Sequence, residues 1–152
     1  MAKALQASRA GTVVISCSDP RLNPYQVLGI DPNLRATMVR NAGGRVNEDV
    51  IKTLTVLQTI ASPGTIAVMH HTDCGLTHVH DDDVKKALIK IAPEKEEAIS
   101  SMKFGEIKNS VREDLELLRA SPYINKDTQI VGLKYDINTG ELSVVEERKS
   151  EL

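Results

Sequence analysis

Short apolar runs alternate with helix-like patterns along this chain, and this alternation restricts the possible fold more than any other feature. Four such runs predict β-strands at residues 12–16, 36–40, 65–69 and 129–134. Between them, apolar residues recur three and four positions apart, which predicts helices. A strand–helix alternation of this kind predicts an α/β fold with a mostly parallel four-stranded sheet flanked by helices.

The same patterns set approximate bounds for the other elements. Helices are predicted at 46–61, from Val84 to Ile91, and at 107–118, and residues 92–106 are predicted to be irregular. Asp81, Asp82 and Asp83 precede the second helix, and we interpret them as a capped helix start rather than a metal site. Residues 142–145 follow a turn and are predicted to pair back as an antiparallel edge strand.

Length and charge narrow the class of protein. The chain has 152 residues, which fits a single domain spanning 1–152, and its aliphatic core must form without tryptophan. A net charge of −2 without a basic run argues against nucleic acid or an anionic membrane as partner. The first residues form no secretory signal, so the cytoplasm is the predicted location. Lys3 and Arg9 leave a weak mitochondrial presequence as the alternative.

Two motifs with metal-binding residue types follow predicted strands. Cys17 ends the first strand, and His71 and Cys74 follow the third. The carboxyl ends of parallel strands meet at one edge of the sheet, where ligand sites form. Thiolate and imidazole are preferred zinc ligands, and a catalytic zinc keeps a fourth position open. These three residues therefore predict one zinc ion per chain, in preference to a Cys17–Cys74 disulfide.

Several histidines compete for a role at this edge. His70 and His71 are neighbours in a predicted strand and should point to opposite sides of the sheet. The short His-x-x-Cys spacing favours His71 as the ligand, and His70 is then packed or hydrogen-bonded. His78 and His80 are predicted to be exposed, with proton transfer as the lesser alternative.

A carboxylate and a guanidinium lie close to the first cysteine. In an extended segment Cys17, Asp19 and Arg21 would face the same side, and Pro20 favours extended backbone before it. Arginine can hold a carboxylate through two charge-assisted hydrogen bonds. A surface ion pair is the plain alternative, but the position beside a predicted zinc ligand favours a functional pair.

Three motifs together resemble the beta class of carbonic anhydrases: 17–21 (CSDPR), 40–43 (RNAG) and 71–75 (HTDCG). Residues 135–142 also resemble the last hairpin of that family. The resemblance covers about residues 12–145, and the chain is similar to short members that lack an N-terminal helical arm. It implies a homodimer or a dimer of dimers, with each site near the subunit interface.

The resemblance also implies roles for the residues. Cys17, His71 and Cys74 would bind zinc, and Asp19 and Arg21 would form a catalytic dyad. Asp19 would either act as a fourth ligand that closes the site or pair with Arg21 and admit water. In the open form a zinc-bound hydroxide, oriented by Asp19, would hydrate carbon dioxide to bicarbonate and a proton.

Alternatives remain open at this stage. The same zinc site could hydrolyse carbon disulfide or carbonyl sulfide, or the chain could be a regulatory zinc protein with low turnover. Pro20 stands where the family usually has serine, which could change how Asp19 is held. Close backbone approach to the site is expected at Gly43 and Gly75, whereas Gly44 is expected to serve turn geometry alone.

Overall fold

A single five-stranded sheet organises the molecule. The computed structural model describes residues 11–31, 33, 36–104 and 110–145. Within them the strand order is β2-β1-β3-β4-β5, with parallel pairing of the first four strands and an antiparallel β5. The predicted α/β fold, a mostly parallel four-stranded sheet with an antiparallel C-terminal edge strand, is confirmed.

The elements lie close to their predicted positions. Their bounds are β1 Thr12–Cys17, α1 Pro24–Leu28, β2 Ala36–Asn41, α2 Glu48–Ala61, β3 Thr65–His71, α3 Asp81–Ile91, α4 Glu96–Ser100, α5 Ser110–Ala120, β4 Gln129–Tyr135 and β5 Leu142–Val145. Short 3-10 turns lie at Ala42–Gly44, Gly75–His78 and Pro93–Lys95. The predicted helix start at Ile107 lies outside the described residues.

The sequence pattern missed α1 and α4. Each has only five residues, which is too short for a 3.6-residue period to emerge. Local chemistry explains α1 instead: the Asn23 side chain accepts from the backbone N–H groups of Tyr25 and Gln26, and Pro24 occupies the first helical position. Residues 92–106 are therefore not wholly irregular, because α4 lies within them.

The helix start at the three aspartates is confirmed. Asp81, Asp82 and Asp83 form the first turn of α3, where negative charge interacts favourably with the helix dipole. The Asp83 carboxylate accepts from the His80 backbone N–H at 3.4 Å, and Asp81 accepts from the Phe104 N–H at 3.3 Å.

Apolar side chains fill both sides of the sheet. On one side, residues of β1 and β3 pack against α2 and α5, with Leu54, Leu115 and Leu118 almost completely buried. On the other side, Val14 and Met69 pack near Leu28 of α1. Burying one such side chain contributes about 1.5–3 kcal/mol. No described helix combines the length and apolar character needed to cross a membrane.

Strand register brings the two sequence motifs to one edge. Ser16 pairs with Met69, and Cys17 pairs with Asn41. The carboxyl ends of β1, β2 and β3 therefore finish side by side, and the loops that leave them share one region of the surface.

Candidate metal centre

Three potential metal ligands converge beyond the ends of β1 and β3. The Sγ atoms of Cys17 and Cys74 lie 3.8 Å apart, and one ligand atom from each of Cys17, His71 and Cys74 lies within 4.8 Å of the others. All three residues are buried. We call these three residues the metal cluster; it is the one group of this kind among the described residues.

The loop from His71 to Cys74 is tied to the C-terminal hairpin. The Thr72 N–H donates to the Tyr135 carbonyl at 2.9 Å, and the Thr72 Oγ1 accepts from the Ile137 N–H at 3.0 Å. Asp73 adopts a left-handed backbone with φ 51°, which reverses the chain over a short distance. As a result Cys74 returns to the strand end where His71 lies.

The donor set fits zinc. His71 Nδ1 lies 2.7 Å from the Thr72 carbonyl, so the ring proton belongs on Nδ1 and the lone pair on Nε2. That Nε2 atom is buried and has no hydrogen-bond partner among the described residues. An unpartnered imidazole nitrogen beside two thiols is the arrangement that a thiolate- and imidazole-binding metal would satisfy.

Both cysteines are free. Their 3.8 Å sulfur separation is far above a disulfide bond of about 2.05 Å. Burial raises the pKa of the Cys74 thiol, and the neighbouring Cys17 raises it further. Burial thus disfavours the thiolate of Cys74, and a cation bound there would stabilise the thiolate instead. The alternative of a Cys17–Cys74 disulfide has no support in this geometry.

Asp19 and Arg21 form the predicted two-point pair. Arg21 Nη2 lies 2.7 Å from Asp19 Oδ2, and Arg21 Nε lies 3.0 Å from Oδ1. These bonds, with a further one from the Arg21 backbone N–H, lower the pKa of Asp19 to about 2. The side-chain hydrogen bonds of Arg21 to Asp19 and then to Asp73 raise the pKa of Arg21. Asp19 Oδ2 also lies 3.8 Å from His71 Nε2, so the carboxylate borders the metal cluster.

The backbone under this pair is a turn, not the extended segment expected from Pro20. The Leu22 N–H donates to the Asp19 carbonyl at 3.0 Å, which closes a four-residue turn with proline in its second position. Proline suits that position because its φ is already close to the required value. The Arg21 backbone N–H then reaches Asp19 Oδ1 at 2.9 Å. The turn therefore brings the two side chains together.

Polar contacts extend from the pair toward solvent. Arg21 Nη1 lies 3.0 Å from Asp73 Oδ2, and Asp73 Oδ1 lies 3.0 Å from Nε2 of the exposed His78. Hydrogen bonds from Arg21 and then His78 lower the pKa of Asp73. Asp73 belongs to the motif at 71–75, but the sequence predicted no role for it.

Arg40 is a further residue whose role the sequence did not show. Its side chain donates to three backbone carbonyls, those of Cys17 at 3.0 Å, Asp19 at 2.9 Å and Leu22 at 3.1 Å. The guanidinium thereby fixes the loop that carries Cys17 and the Asp19–Arg21 pair. The indication in the sequence was that Arg40 belongs to the motif at 40–43, one of the three that carry the family resemblance.

Gly44 differs from expectation. Gly44 has φ 64°, and a Cβ atom there would lie 2.7 Å from the backbone nitrogen of Cys17. The expectation that Gly44 serves turn geometry alone is therefore wrong, because the chain passes too close to β1 for any side chain. A Cβ atom on Gly75 would meet no protein atom within 4 Å, so protein packing does not require glycine there, and its approach to the site stays a prediction.

Apolar side chains surround the sulfur atoms. Buried Leu22 packs with the two cysteines, and three partly buried residues pack against that group: Val27, Leu76 and Tyr135. Tyr25 packs with the core on the α1 side, and its hydroxyl donates to the Ala36 carbonyl at 3.0 Å. Tyr135 therefore contacts the apolar group beside the cysteines.

Comparison with known proteins agrees with this geometry. The carbonic anhydrase family model matches residues 12–142. Beta-carbonic anhydrase 1 of Mycobacterium bovis is 34% identical over 135 residues, covering 87% of this chain and 80% of that protein. A crystal structure of carbonic anhydrase from Streptococcus mutans superposes with a TM-score of 0.79 at 33% identity, covering 89% of this chain and 81% of that one.

The chain therefore belongs to the carbonic anhydrase family, in its beta class. Family membership defines it as an enzyme of the carbonic anhydrase type, a lyase, and zinc as its cofactor. A carbon disulfide hydrolase of an Acidianus species is also 32% identical over 152 residues, covering 85% of this chain and 74% of that protein. The relatives thus include two kinds of named activity.

Proposed function

We propose that this chain catalyses the reversible hydration of carbon dioxide to bicarbonate and a proton, with one zinc held by Cys17, His71 and Cys74. The observation that carries the proposal is the buried, unpartnered Nε2 of His71, which faces two thiols and lies 3.8 Å from the carboxylate of Asp19. The 34% identical beta-carbonic anhydrase supports the choice of substrate.

The chemistry divides between the metal and the chain. Bound zinc acts as a Lewis acid and lowers the pKa of a water ligand, which supplies a nucleophile near neutral pH. The chain provides an ionised acceptor beside it, because Arg21 keeps the pKa of Asp19 at about 2. Asp19 can then accept a hydrogen bond from the nucleophile and orient it toward carbon dioxide.

Arg21 has a second task in this scheme. Its Nε and Nη2 occupy both carboxylate oxygens of Asp19, and its Nη1 is anchored on Asp73. These hydrogen bonds keep the Asp19 carboxylate directed at Arg21, whereas a free carboxylate so near His71 could become a fourth zinc ligand. A regulatory zinc protein with a permanently closed site would not need these bonds, so the contacts favour the enzyme.

The test uses protein loaded with zinc and a stopped-flow carbon dioxide hydration assay. We expect Asp19→Ala and Arg21→Ala to retain about one zinc per chain and to lose roughly 10²-fold or more in kcat. Asp49→Ala, a change at an exposed carboxylate on α2, is the matched control and should hydrate carbon dioxide at the parent rate. Full activity in both dyad variants would rule out this mechanism.

Carbon disulfide hydrolysis is the second candidate: the 32% identical carbon disulfide hydrolase supports it, and the apolar group of Leu22, Val27 and Leu76 beside the sulfurs is compatible with it. Carbon disulfide is linear and apolar, as carbon dioxide is, and carbonyl sulfide is linear and only weakly polar. Parallel assays with each substrate, following bicarbonate and hydrogen sulfide, distinguish the two activities. Sulfide production in the absence of carbon dioxide hydration would reject the first candidate.

The remaining predictions on assembly and location are part of this proposal. We propose a single domain that forms a homodimer or dimer of dimers, with each site near the subunit interface, and a cytoplasmic location. Sedimentation velocity on the zinc-loaded protein measures the assembly, and a purely monomeric species would reject it.

A further inference from the structure

The carboxyl group of one residue is completely buried on α5, away from the metal cluster. Asp114 is 0% exposed. Its Oδ1 lies 3.2 Å from Nε of Arg45, and its Oδ2 lies 2.9 Å from Nε2 of His70. A buried carboxylate is costly unless it is paired. Arg45 Nε donates a hydrogen bond to Oδ1, whereas Oδ2 lies close to His70 but has no hydrogen-bond partner among the described residues.

Both partners of Asp114 lead to the turn at residues 42–45. His70 Nε2 also lies 3.0 Å from the Gly44 carbonyl, so the ring proton belongs on this nitrogen. Arg45 is itself part of the turn, which the Asn41 side chain closes by accepting from the Arg45 N–H at 2.9 Å and donating to its carbonyl at 2.8 Å. We call Gly44, Arg45, His70 and Asp114 the turn network.

The turn packs closely against the backbone of Cys17, a predicted zinc ligand. At Gly44 the chain is so close to β1 that a Cβ atom would lie 2.7 Å from the nitrogen of Cys17 and 2.7 Å from the carbonyl carbon of Ser16. Protein interiors are close-packed and transmit small displacements. A shift of the turn by a few tenths of an ångström must therefore move the backbone that carries Cys17.

We propose that Asp114 is a positioning residue for the zinc site: through Arg45 and His70 it holds the 42–45 turn against the backbone of Cys17. This inference rests on the proposed ligand role of Cys17. Asp114 sets where the Cys17 sulfur lies relative to His71 and Cys74. A buried ion pair adds little net stability over apolar packing, so a gain in stability does not explain this pair. Holding the 42–45 turn in a defined geometry does.

The experiment measures zinc affinity by competition with a chromophoric chelator, using the full chain. Outer partners of metal ligands typically change affinity 10- to 100-fold when altered. Because Asp114 acts through two intermediates, we expect about a 10-fold weaker affinity in Asp114→Asn, at the lower end of that range. The cobalt-substituted variant should also show shifted d–d absorption bands, since the Cys17 sulfur moves relative to the metal.

Two variants on the same helix are the controls. Glu116→Gln neutralises an exposed carboxylate on α5 and should leave zinc affinity and the cobalt spectrum unchanged. Leu118→Ala removes a completely buried side chain and lowers stability without touching the turn network. A loss of zinc affinity in Leu118→Ala equal to that in Asp114→Asn would overturn the proposal, because general destabilisation would then explain both.

A pair of substitutions at His70 tests the same path if Asp114→Asn does not fold. Gln places an amide nitrogen near the position of His Nε2 and can still donate to the Gly44 carbonyl, whereas Ala cannot. We expect His70→Gln to keep more of the parent zinc affinity than His70→Ala, and equal affinities would contradict the proposal. Failure of the parent chain itself to bind zinc would overturn the proposed function, and this inference with it. Zinc binding that is unchanged in Asp114→Asn would reject the inference alone.

Discussion

His70 and His71 stand at the same strand end, but their Nε2 atoms face different surroundings. In the metal cluster, Nε2 of His71 faces two sulfur atoms and has no hydrogen-bond partner among the described residues. In the turn network, Nε2 of His70 lies within 3.0 Å of both the Gly44 carbonyl and the Asp114 carboxylate. Both residues are buried, so burial alone does not distinguish them.

The difference lies in the tautomer that each environment selects. The Thr72 carbonyl accepts a hydrogen bond from Nδ1–H of His71 and leaves a lone pair on Nε2, whereas the Gly44 carbonyl accepts from Nε2–H of His70. A nitrogen that carries a proton cannot ligate a metal. Each ring therefore keeps one buried nitrogen without a hydrogen-bond partner, Nε2 in His71 and Nδ1 in His70, and among the described residues only that of His71 is grouped with two sulfur atoms.

Loss of the histidine that we propose as the zinc ligand should produce the largest effect. We expect His71→Ala to lower zinc affinity more than 100-fold, beyond the range seen for outer partners of metal ligands. His70→Gln should still bind about one zinc per chain, because it leaves the three ligands in place. Metal analysis after dialysis against a weak chelator measures both. Equal zinc contents in the two variants would mean that the histidine was assigned incorrectly.

A substitution at Gly44 should have the next largest effect, and Gly29 provides its control. Both glycines have positive φ, 64° and 60°, but a Cβ atom meets the Cys17 backbone at Gly44 and nothing within 4 Å at Gly29. Gly29→Ala should cost about 1–3 kcal/mol from backbone strain alone. Gly44→Ala should cost more, because overlap with β1 is added. Urea unfolding of the metal-free variants measures both, and equal losses would show that the close approach has no energetic effect.

The smallest effect is expected at Asp136, a carboxylate outside both regions. The backbone N–H groups of Thr139 and then Asn138 hold its pKa below the usual 3.8, so the folded state favours the charged form. This stabilisation is present above pH 3.8 and is lost as the pH falls through the lowered pKa. Asp136→Asn should therefore be slightly less stable than the parent near neutral pH, and this deficit should shrink well below pH 3.8. Unfolding curves at the two pH values measure the change, and a deficit that does not depend on pH would contradict the assignment.

The sequence predicted the strands and the metal cluster because both depend on simple regularities. Apolar runs marked the strands, and the parallel arrangement required that Cys17 and His71 meet at one edge. The turn network depends instead on contacts between residues far apart in the chain, 69 positions in the case of Arg45 and Asp114. One signal was nevertheless present, since Asp114 lies on the helical stripe that includes Val111, Leu115 and Leu118. A carboxylate on an apolar stripe indicates a buried partner, but the sequence does not say which one.

The distance along the chain between the two cysteines also bears on when the site can form. Cys17 and Cys74 are 57 residues apart, and parallel pairing of β1 with β3 brings them together. Closing so long a loop costs chain entropy before any contact compensates for it, and non-local pairing of this kind slows folding. The cluster therefore requires that β1 has already paired with β3. Metal uptake can report completion of the central sheet, and refolding followed by a zinc-sensitive dye would show metal capture after the main gain of secondary structure.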